Sequence, residues 1–298
     1  MSNGQIPVVL FAFNRPAHLA RVLECLRGEQ VPLVIAFADG PRRTSDRESV
    51  EAVRQRLREV DWCEMRLVER EVNLGLGRNV LAGVSEVADR YEAFVVWEDD
   101  LVCAPGTYGW VLAALRRYAA DERVMSVSAW THPRVTPRDV GGLPYFDRRA
   151  ECWVWGAWAR SWRGMMQETA IEKMKAAEVA GTAPGAYGED LPRMAGEELR
   201  KNIWAVRWLY HHLQHEGLCV RPPWSMVEHI GFDAQATQAG DAIEWANLEL
   251  RAVPRIPEVW PEPQEHPDCR ALWAAATPSG RWRGIVHRLW LKIGRALG

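Results

Sequence analysis

The sequence predicts an α/β protein whose mostly parallel sheet is flanked by helices, and three observations support this fold class. Short apolar runs of strand length recur through the first 130 residues, and segments with apolar residues at helical spacing separate them. The run at 93–97 has a β-branched centre, which is typical of a strand buried on both faces. It ends abruptly in Glu98, Asp99 and Asp100, at the strand end where open α/β sheets bind ligands.

The composition is that of a globular protein. The chain has 298 residues, of which 48% are hydrophobic and 26% charged, so it can bury a substantial core. A formal net charge of −2 argues against a general nucleic-acid-binding protein. The 6 cysteines are scattered without metal-finger spacing, so we expect a reducing, cytoplasmic setting. Neither a signal peptide nor an apolar run of membrane-spanning length is expected from the sequence.

The first half of the chain alternates predicted strands and helices. A strand at 6–13 is broken by Asn14, Arg15 and Pro16 before a helix. A second strand, 31–38, ends in Asp39, which is followed by a Gly-Pro turn. A carboxylate there either accepts hydrogen bonds from a ribose or a base, or caps the turn, and the sequence leaves both roles open.

A glycine-containing loop follows a helix at 46–60 and a third strand at 65–69. It contains Asn73, Gly75 and Gly77, and it opens the next helix with Arg78 and Asn79. Glycines before a helix let backbone N–H groups approach an anion, and an arginine adds positive charge for a phosphate. A lone Gly-x-Gly is more often a plain turn. The position of this one, one helix before the acidic strand end, favours phosphate binding.

The three adjacent acids at 98–100 repel one another and raise each other's pKa unless a cation or hydrogen-bond donors compensate. A divalent ion that bridges carboxylate and phosphate oxygens would account for them. A solvated acidic turn is the alternative, and this segment does not decide between the two.

Aromatic residues dominate the second half. After a predicted helix at 105–118 and a strand at 123–128, four tryptophans lie within residues 152–162. They form either a sugar-stacking wall or part of the core, and core packing is the more common role. A long helix at 197–215 carries three histidines near its end, which we interpret as surface residues because the His-Glu-x-x-His zinc spacing is absent.

The C-terminal part differs in character. The segment from 234 to 268 is rich in Pro and Glu, and we expect it to wrap irregularly over the surface. Residues 281–297 form a basic amphipathic pattern, which fits either a helix in a membrane interface or a helix docked on the body.

Several segments together resemble the GT-A glycosyltransferases, specifically bacterial sugar transferases similar to the alpha-1,3-mannosyl-glycoprotein N-acetylglucosaminyltransferase and family 2 group. The likeness runs in order over about residues 6–240. The segments are FAFNRP at 11–16, NLGLGRN at 73–79, WEDDL at 97–101, WGAW at 155–158, NIWAVRW at 202–208 and IGFD at 230–233.

The resemblance implies a Rossmann-like GT-A domain at 1–240, with a nucleotide-sugar-binding half at 1–130 and an acceptor half at 131–240. Residues 241–298 would be a C-terminal extension made of the wrap and the basic helix. Asp100 would bind Mn²⁺ or Mg²⁺ on the donor diphosphate, and His229 would be a second metal ligand. The acceptor would lie against Trp155, Trp158 and Trp204. The implied donor-binding residues are Phe13, Asn14, Arg15, Asp39, Asn73, Gly75, Arg78, Asn79, Glu98 and Asp99.

The general base departs from the family pattern. An inverting transfer needs a carboxylate that deprotonates the acceptor hydroxyl. Relatives usually carry an Asp just before or after the tryptophan that corresponds to Trp204, whereas this chain has Asn202, Ile203 and Ala205 there. Glu198, four residues earlier on the same predicted helix, is the first candidate, and Asp190 is the second.

The resemblance therefore implies a metal-dependent, inverting glycosyltransferase. It would move a hexosyl or N-acetylhexosaminyl unit from a nucleotide sugar to a glycan or lipid-linked acceptor in surface polysaccharide synthesis. We expect it in the cytoplasm, peripheral at the inner face of the cell membrane, and without a nucleic-acid partner. Two alternatives stay open: a nucleotidyltransferase acting on a sugar phosphate, and an inactive sugar-binding or scaffold protein.

Overall fold

The computed structural model describes residues 4–231 and 250–277. Most strands lie in one mixed sheet. These strands are β1 (Val8–Ala12), β2 (Leu33–Ala38), β3 (Glu64–Glu69), β4 (Ala93–Glu98), β6 (Val124–Ser128), β7 (Tyr145–Asp147), β8 (Trp155–Trp158) and β9 (Leu218–Arg221). They are ordered β3-β2-β1-β4-β8-β6-β9-β7. The strands β5 (Leu101–Cys103) and β10 (Val227–His229) pair separately as an antiparallel ribbon.

The sheet is parallel where the sequence alternates strands and helices. β3, β2, β1 and β4 are neighbours in parallel register, and β6 is parallel to β9. β8 lies antiparallel between β4 and β6, and β7 is antiparallel to β9. The carboxyl ends of β1, β4, β6 and β9 consequently meet at one edge. The predicted α/β class with a mostly parallel sheet flanked by helices is confirmed.

Helices cover both faces of this sheet. Alternate residues of β1 enter different cores, with Val8 and Leu10 in one and Val9 and Phe11 in the other. Such alternation is expected of a strand buried on both faces. The helices of the described residues are α1 (Pro16–Gly28), α2 (Arg47–Arg58), α3 (Leu76–Ala88), α4 (Thr107–Arg117), α5 (Ala159–Trp162), α6 (Ala170–Val179), α7 (Leu191–Lys201), α8 (Ala205–Gln214) and α9 (Cys269–Ala276).

The predicted long helix at 197–215 is wrong in one respect, since it is two helices, α7 and α8. Asn202 ends α7 in the left-handed conformation, with φ 55° and ψ 47°. Asn tolerates this conformation better than other non-glycine residues, so it is a suitable helix stop. The break turns Asn202 towards the glycine loop, where its side-chain Nδ2 donates to the carbonyl oxygen of Leu74 at 3.1 Å.

A carboxylate at the end of α1 caps the N-terminus of α4. Glu29, just after α1, accepts hydrogen bonds from the backbone N–H groups of Gly106, Thr107 and Tyr108 at 2.6, 3.2 and 3.1 Å. These are the first donors of α4, which has no side-chain cap from its own N-cap residue. A negative charge at a helix N-terminus also interacts favourably with the helix dipole.

The part of the C-terminal segment that the structure describes packs on the edge strand β7. The indole N–H of Trp273 donates to Asp147 Oδ2 at 2.7 Å, and Arg221 Nε lies 3.1 Å from the same oxygen. Arg221 also contacts Glu151 at 2.8 Å. The side chains of Asp147 and Arg221 are fully buried, so this network holds α9 against the sheet.

The predicted basic helix at 281–297 and Asp233 of the IGFD segment lie outside the described residues. Among the helices that are described, none has the length and apolar character needed to span a membrane.

Candidate functional site

The three acids lie at the carboxyl edge of the sheet, where the sequence predicted them. Glu98 is the last residue of β4 and is paired with Phe11 of β1. Asp99 Oδ2 accepts the backbone N–H of Phe13 at 2.9 Å, which joins the ends of these two strands. Burial raises the pKa of Asp99 to about 7, with the charge of Asp100 adding to the effect. Burial raises the pKa of Glu98 well above its usual value, again helped by its acidic neighbours.

Asp100 faces residues from two other segments. Its Oδ2 lies 3.1 Å from Nη1 of Arg15, which is in the turn between β1 and α1. The β5–β10 ribbon brings His229 to the same oxygen, with Nε2 at 3.7 Å. The two predicted metal ligands, which are 129 positions apart in the sequence, are thus brought together. Asn14, beside Arg15, lies at the same edge and is half-buried.

Gly231 closes this site and leaves no room for a side chain. A Cβ at this position would lie 2.2 Å from Asp100 Oδ2, 2.6 Å from Arg15 Nη1 and 2.8 Å from His229 Cε1. The carbonyl of Gly231 accepts a hydrogen bond from Arg15 at 3.4 Å. Glycine therefore lets the backbone approach the acidic side chain without displacing these side-chain ends.

The other carboxylate oxygen of Asp100 fits a metal ion. Oδ1 is buried and has no hydrogen-bond partner. A buried carboxylate oxygen without a donor is costly, and a divalent cation that prefers oxygen ligands would satisfy it. Glu98 and Asp99 lie beside Asp100, and a bound divalent cation would favour their ionised forms over the neutral forms that burial and mutual repulsion favour without it. These residues fit Mn²⁺ or Mg²⁺.

His229 is not arranged as a metal ligand in this structure. Its Nδ1 accepts the backbone N–H of Gly231 at 3.1 Å, so the neutral ring carries its proton on Nε2, towards Asp100. Burial lowers the pKa of His229, while the charge of Asp100 raises it and that of Arg15 lowers it. Coordination through Nε2 would need the proton to move to Nδ1 and the Gly231 hydrogen bond to break.

The structure shows Asp39 in the turn-capping role, not facing a ligand. Its carboxylate accepts hydrogen bonds from the backbone N–H groups of Gly40, Leu74 and Gly75, each at 2.9 Å, and from Asn73 Nδ2 at 3.1 Å. A carboxylate has about four lone-pair sites, and all are used here. Asp39 is only 3% exposed, so it holds the glycine loop in place.

The glycine loop itself packs against Asn202. A Cβ on Gly75 would lie 2.4 Å from Asn202 Nδ2, and one on Gly77 would lie 2.3 Å from the Asn202 backbone oxygen. Asn79 is buried and contacts Arg70 and the carbonyl of Phe37. Because these residues are engaged by the protein, the contacts do not support the predicted donor roles of Gly75 and Asn79. Arg78 is exposed.

The predicted acceptor wall is part of the core. Trp155 is fully buried and Trp204 is 4% exposed, and their rings stack with centroids 5.7 Å apart. Trp158, 4% exposed, pairs with Ala93 at the start of β4. That places it a strand length, about 16 Å, from the acids. It lines a hollow of about 150 Å³ with Ile6 and Glu92 at the opposite end of the sheet. The packing interpretation of these tryptophans is the correct one.

Within the part of the chain that the structure describes, Trp153 reaches the site, and the sequence analysis did not single it out. Its half-buried ring meets His229 edge-on at 4.8 Å and Trp130 at 5.0 Å. The next residue, Val154, has φ +48°, an unusual conformation for a β-branched residue. No local sequence signal marks Trp153, because β8 was not predicted and the turn of the chain at Val154 is visible only in the structure.

The first candidate base, Glu198, is engaged inside the helical layer. One of its oxygens accepts the backbone N–H of Ala170 at 2.7 Å, and the other is ion-paired with Arg207. Glu198 is 3% exposed, so its contacts make it a structural residue and do not support the role of base. Asp190 is paired with Arg149 at 3.3 Å, and its side chain keeps 27% of its surface exposed.

Of the three histidines predicted at the surface, His215 is exposed, but the other two are buried. His211 and His212 are 1% and 0% exposed. Burial lowers the pKa of His211 to about 3, and it lowers the pKa of His212 well below its usual value. Both rings are therefore neutral and belong to the core.

A second group of metal-binding residue types lies at the surface of the described residues, away from Asp100. It consists of Asp139, His266 and Asp268, with His266 Nε2 3.0 Å from Asp139 Oδ1. His266 Nδ1 accepts the backbone N–H of Asp268 at 3.3 Å. Both acids are exposed, and an exposed ion pair of this kind is common without a metal.

Comparison with known proteins gives no family assignment. No family model matches the chain, and no curated protein matches it. Solved structures with a similar fold include a mannosyltransferase from Pyrobaculum calidifontis in complex with GDP-Man and Mn²⁺, at 14% identity and a TM-score of 0.42. The alignment covers 59% of this chain and 52%, about half, of the mannosyltransferase.

Two further structures are similar at the same low level. One is 4-diphosphocytidyl-2C-methyl-D-erythritol synthase from Anaerococcus prevotii, at 11% identity and a TM-score of 0.37, covering 55% of this chain and 76% of that one. The other is mannose-1-phosphate geranyltransferase from Thermus thermophilus, at 15% identity and a TM-score of 0.34, covering 60% and 65%. Likeness this distant carries no argument about the activity of this chain.

Proposed function

We propose that the chain is a metal-dependent glycosyltransferase that uses a nucleotide-sugar donor. The observation that carries the proposal is Asp100, which lies at the carboxyl end of β4 with one buried oxygen lacking a partner and the other between Arg15 and His229. A ligand with both a cation and phosphates would balance this cluster, because carboxylates bind the metal and the guanidinium binds the anion.

The chemistry of sugar transfer needs such a site. The leaving group is a nucleoside diphosphate, and a bound Mn²⁺ or Mg²⁺ supplies a Lewis acid that stabilises its developing negative charge. Asp100 would hold the metal, and Arg15 would contact the diphosphate. Asp99 keeps the turn after β1 in place through the N–H of Phe13. The result would be a donor phosphate fixed at the edge between β1 and β4.

The acceptor side of the proposal changes in the light of the structure. Trp155, Trp158 and Trp204 are in the core, so Trp153, beside His229, is the aromatic residue we propose for contact with a sugar. For inversion, Asp190 is the predicted base that keeps an exposed carboxylate, and we retain it in that role. The proposed acceptor remains a glycan or lipid-linked sugar. The basic sequence at 281–297 supports a position at the inner face of the membrane.

A donor panel tests the proposal. The protein is incubated with nucleotide sugars and Mn²⁺, and released UDP, GDP or CMP is measured. We expect release from one donor class, loss of at least 100-fold in Asp100→Asn, and no loss in the control Asp89→Asn, whose exposed residue follows α3. Release of pyrophosphate from a nucleoside triphosphate and a sugar phosphate would show a nucleotidyltransferase instead. Binding without any turnover would show an inactive sugar-binding protein.

A further inference from the structure

Arg15 connects three separate parts of the site. Its Nη1 lies 3.1 Å from Asp100 Oδ2 and 3.4 Å from the carbonyl oxygen of Gly231. The side chains of Arg15 and Asp100 are each only 14% exposed, so the ion pair is mostly shielded from solvent. This one guanidinium thus joins the turn before α1, the turn after β4 and the segment after β10.

The same ion pair opposes a metal at Asp100. A guanidinium and a divalent cation on one carboxylate are like charges within about 4 Å, and their repulsion is strong where solvent is partly excluded. Asp100 Oδ2 is already shared between Arg15 and His229, whereas Oδ1 has no partner. A cation that binds Oδ1 therefore weakens the hold of Arg15 on Oδ2.

The structure also offers the displaced guanidinium another partner. Arg15 is the N-cap residue of the 13-residue helix α1, and within residues 4–231 and 250–277 its own side chain makes no capping hydrogen bond to that helix. An uncapped helix N-terminus attracts phosphate, and a guanidinium binds phosphate oxygens in a bidentate manner. A diphosphate at the start of α1 would lie within reach of Arg15 and close to a metal on Asp100.

We propose that Arg15 is an exchangeable counter-ion for Asp100, an inference that rests on the proposed function. Without ligand it neutralises Asp100 and so weakens the binding of a bare cation. When metal and nucleotide bind together, Arg15 transfers from the carboxylate to the diphosphate. The exchange makes the site bind the metal–nucleotide complex in preference to the free metal.

Binding measurements test this exchange without reference to turnover. Mn²⁺ binding to wild type, Arg15→Gln and the control Arg21→Gln, an exposed residue on α1, is followed by the electron paramagnetic resonance signal of free Mn²⁺. UDP and GDP binding is then measured by calorimetry at saturating Mn²⁺. For Arg15→Gln we expect Mn²⁺ alone to bind about tenfold more tightly and the diphosphate at least tenfold more weakly. Gain or loss of one partly buried charge pair changes an affinity by about that factor. Arg21→Gln should change neither.

The opposite signs of the two effects decide the inference. If Arg15→Gln weakens both ligands, or changes neither, Arg15 does not exchange between them and the inference is overturned. Should Arg15→Gln not fold, as judged by circular dichroism, Arg15→Lys decides instead. Lysine lacks the planar, bidentate guanidinium of arginine, so Mn²⁺ should bind Arg15→Lys about threefold more tightly and the diphosphate more weakly. Unchanged Mn²⁺ affinity in Arg15→Lys would overturn the inference.

Asp100→Asn separates this inference from the proposed function. If wild type and Asp100→Asn bind Mn²⁺ equally, Asp100 holds no metal, and the proposed function and the inference fail together. If wild type binds Mn²⁺ through Asp100 but Arg15→Gln does not tighten it, the inference alone fails.

Discussion

The replacement Gly231→Ala tests the proposed metal site without removing any of its side chains. The added Cβ would lie 2.2 Å from Asp100 Oδ2, and ordinary contact begins at 3.4 Å, so the oxygen must retreat by about 1.2 Å. The Cβ would also press on Arg15 Nη1 at 2.6 Å and His229 Cε1 at 2.8 Å. Metal–ligand distances tolerate deviations of only about 0.2 Å. A methyl group here consequently disturbs Asp100 and the two side chains that lie next to its Oδ2.

We expect Gly231→Ala to weaken Mn²⁺ binding by about 10- to 100-fold, which corresponds to about 1.4–2.8 kcal/mol. Thermal stability should change by no more than about 4 °C, because the atoms that move are the ends of side chains. Calorimetric titration with Mn²⁺ and a thermal melt measure the two effects. Gly109→Ala is the control, since a Cβ there meets nothing within 4 Å. Wild-type Mn²⁺ affinity in Gly231→Ala would refute the reasoning and place the metal elsewhere.

Three further changes test the fold around the site. Gly77→Ala places a Cβ 2.3 Å from the backbone oxygen of Asn202, so chemical denaturation should show a free energy of unfolding that is lower by about 1–3 kcal/mol. A variant as stable as wild type would contradict the packing of the loop against Asn202. Glu29→Gln removes the charge at the N-terminus of α4 and should cost about 1 kcal/mol in the same assay, whereas Glu24→Gln, on α1, should not. His212 is neutral in the folded state, because burial holds its pKa well below the pKa of a histidine in the unfolded chain. As the pH drops below about 6.5, the unfolded chain therefore takes up the proton first, and the free energy of unfolding falls. His212→Gln cannot titrate, and denaturation from pH 7 to 4.5 should show a shallower decline than in wild type; parallel curves would refute this.

The parallel half of the fold could be predicted from the sequence because its signals are local. The apolar runs that became β1, β2 and β4 are uninterrupted, and the Leu and Val residues of α1 recur at helical spacing. β8 escaped prediction because its sequence, Trp-Gly-Ala-Trp, is only four residues long, and its place between β4 and β6 depends on pairing with distant segments. Burial of the tryptophans likewise depends on what covers them, which local sequence does not specify.

The position of the three acids at the carboxyl edge of the sheet could be predicted for the same reason. Asp100 follows a recognisable strand, and the edge at which a parallel strand ends is known in advance. His229 was proposed from its place near a Gly-Phe-Asp segment, and the structure brings it to Asp100 through a ribbon that the sequence did not predict. The structural contacts of Asp39 and Glu198 could not be predicted, because a carboxylate in sequence looks the same whether it faces a ligand or a neighbouring backbone amide. Their partners, Leu74 and Ala170, lie 35 and 28 positions away.

The packing of Trp273 has a practical consequence for shortened forms of the protein. Removal of the chain from Cys269 onwards would take away the indole that donates to Asp147 and would expose the face of Arg149, whose guanidinium lies 3.9 Å above that ring. Arg221 and Asp147 would then meet water that they never contact in the intact fold. Expression of such a truncated chain should yield insoluble material, so domain trimming for crystallisation ought to keep every residue through Thr277.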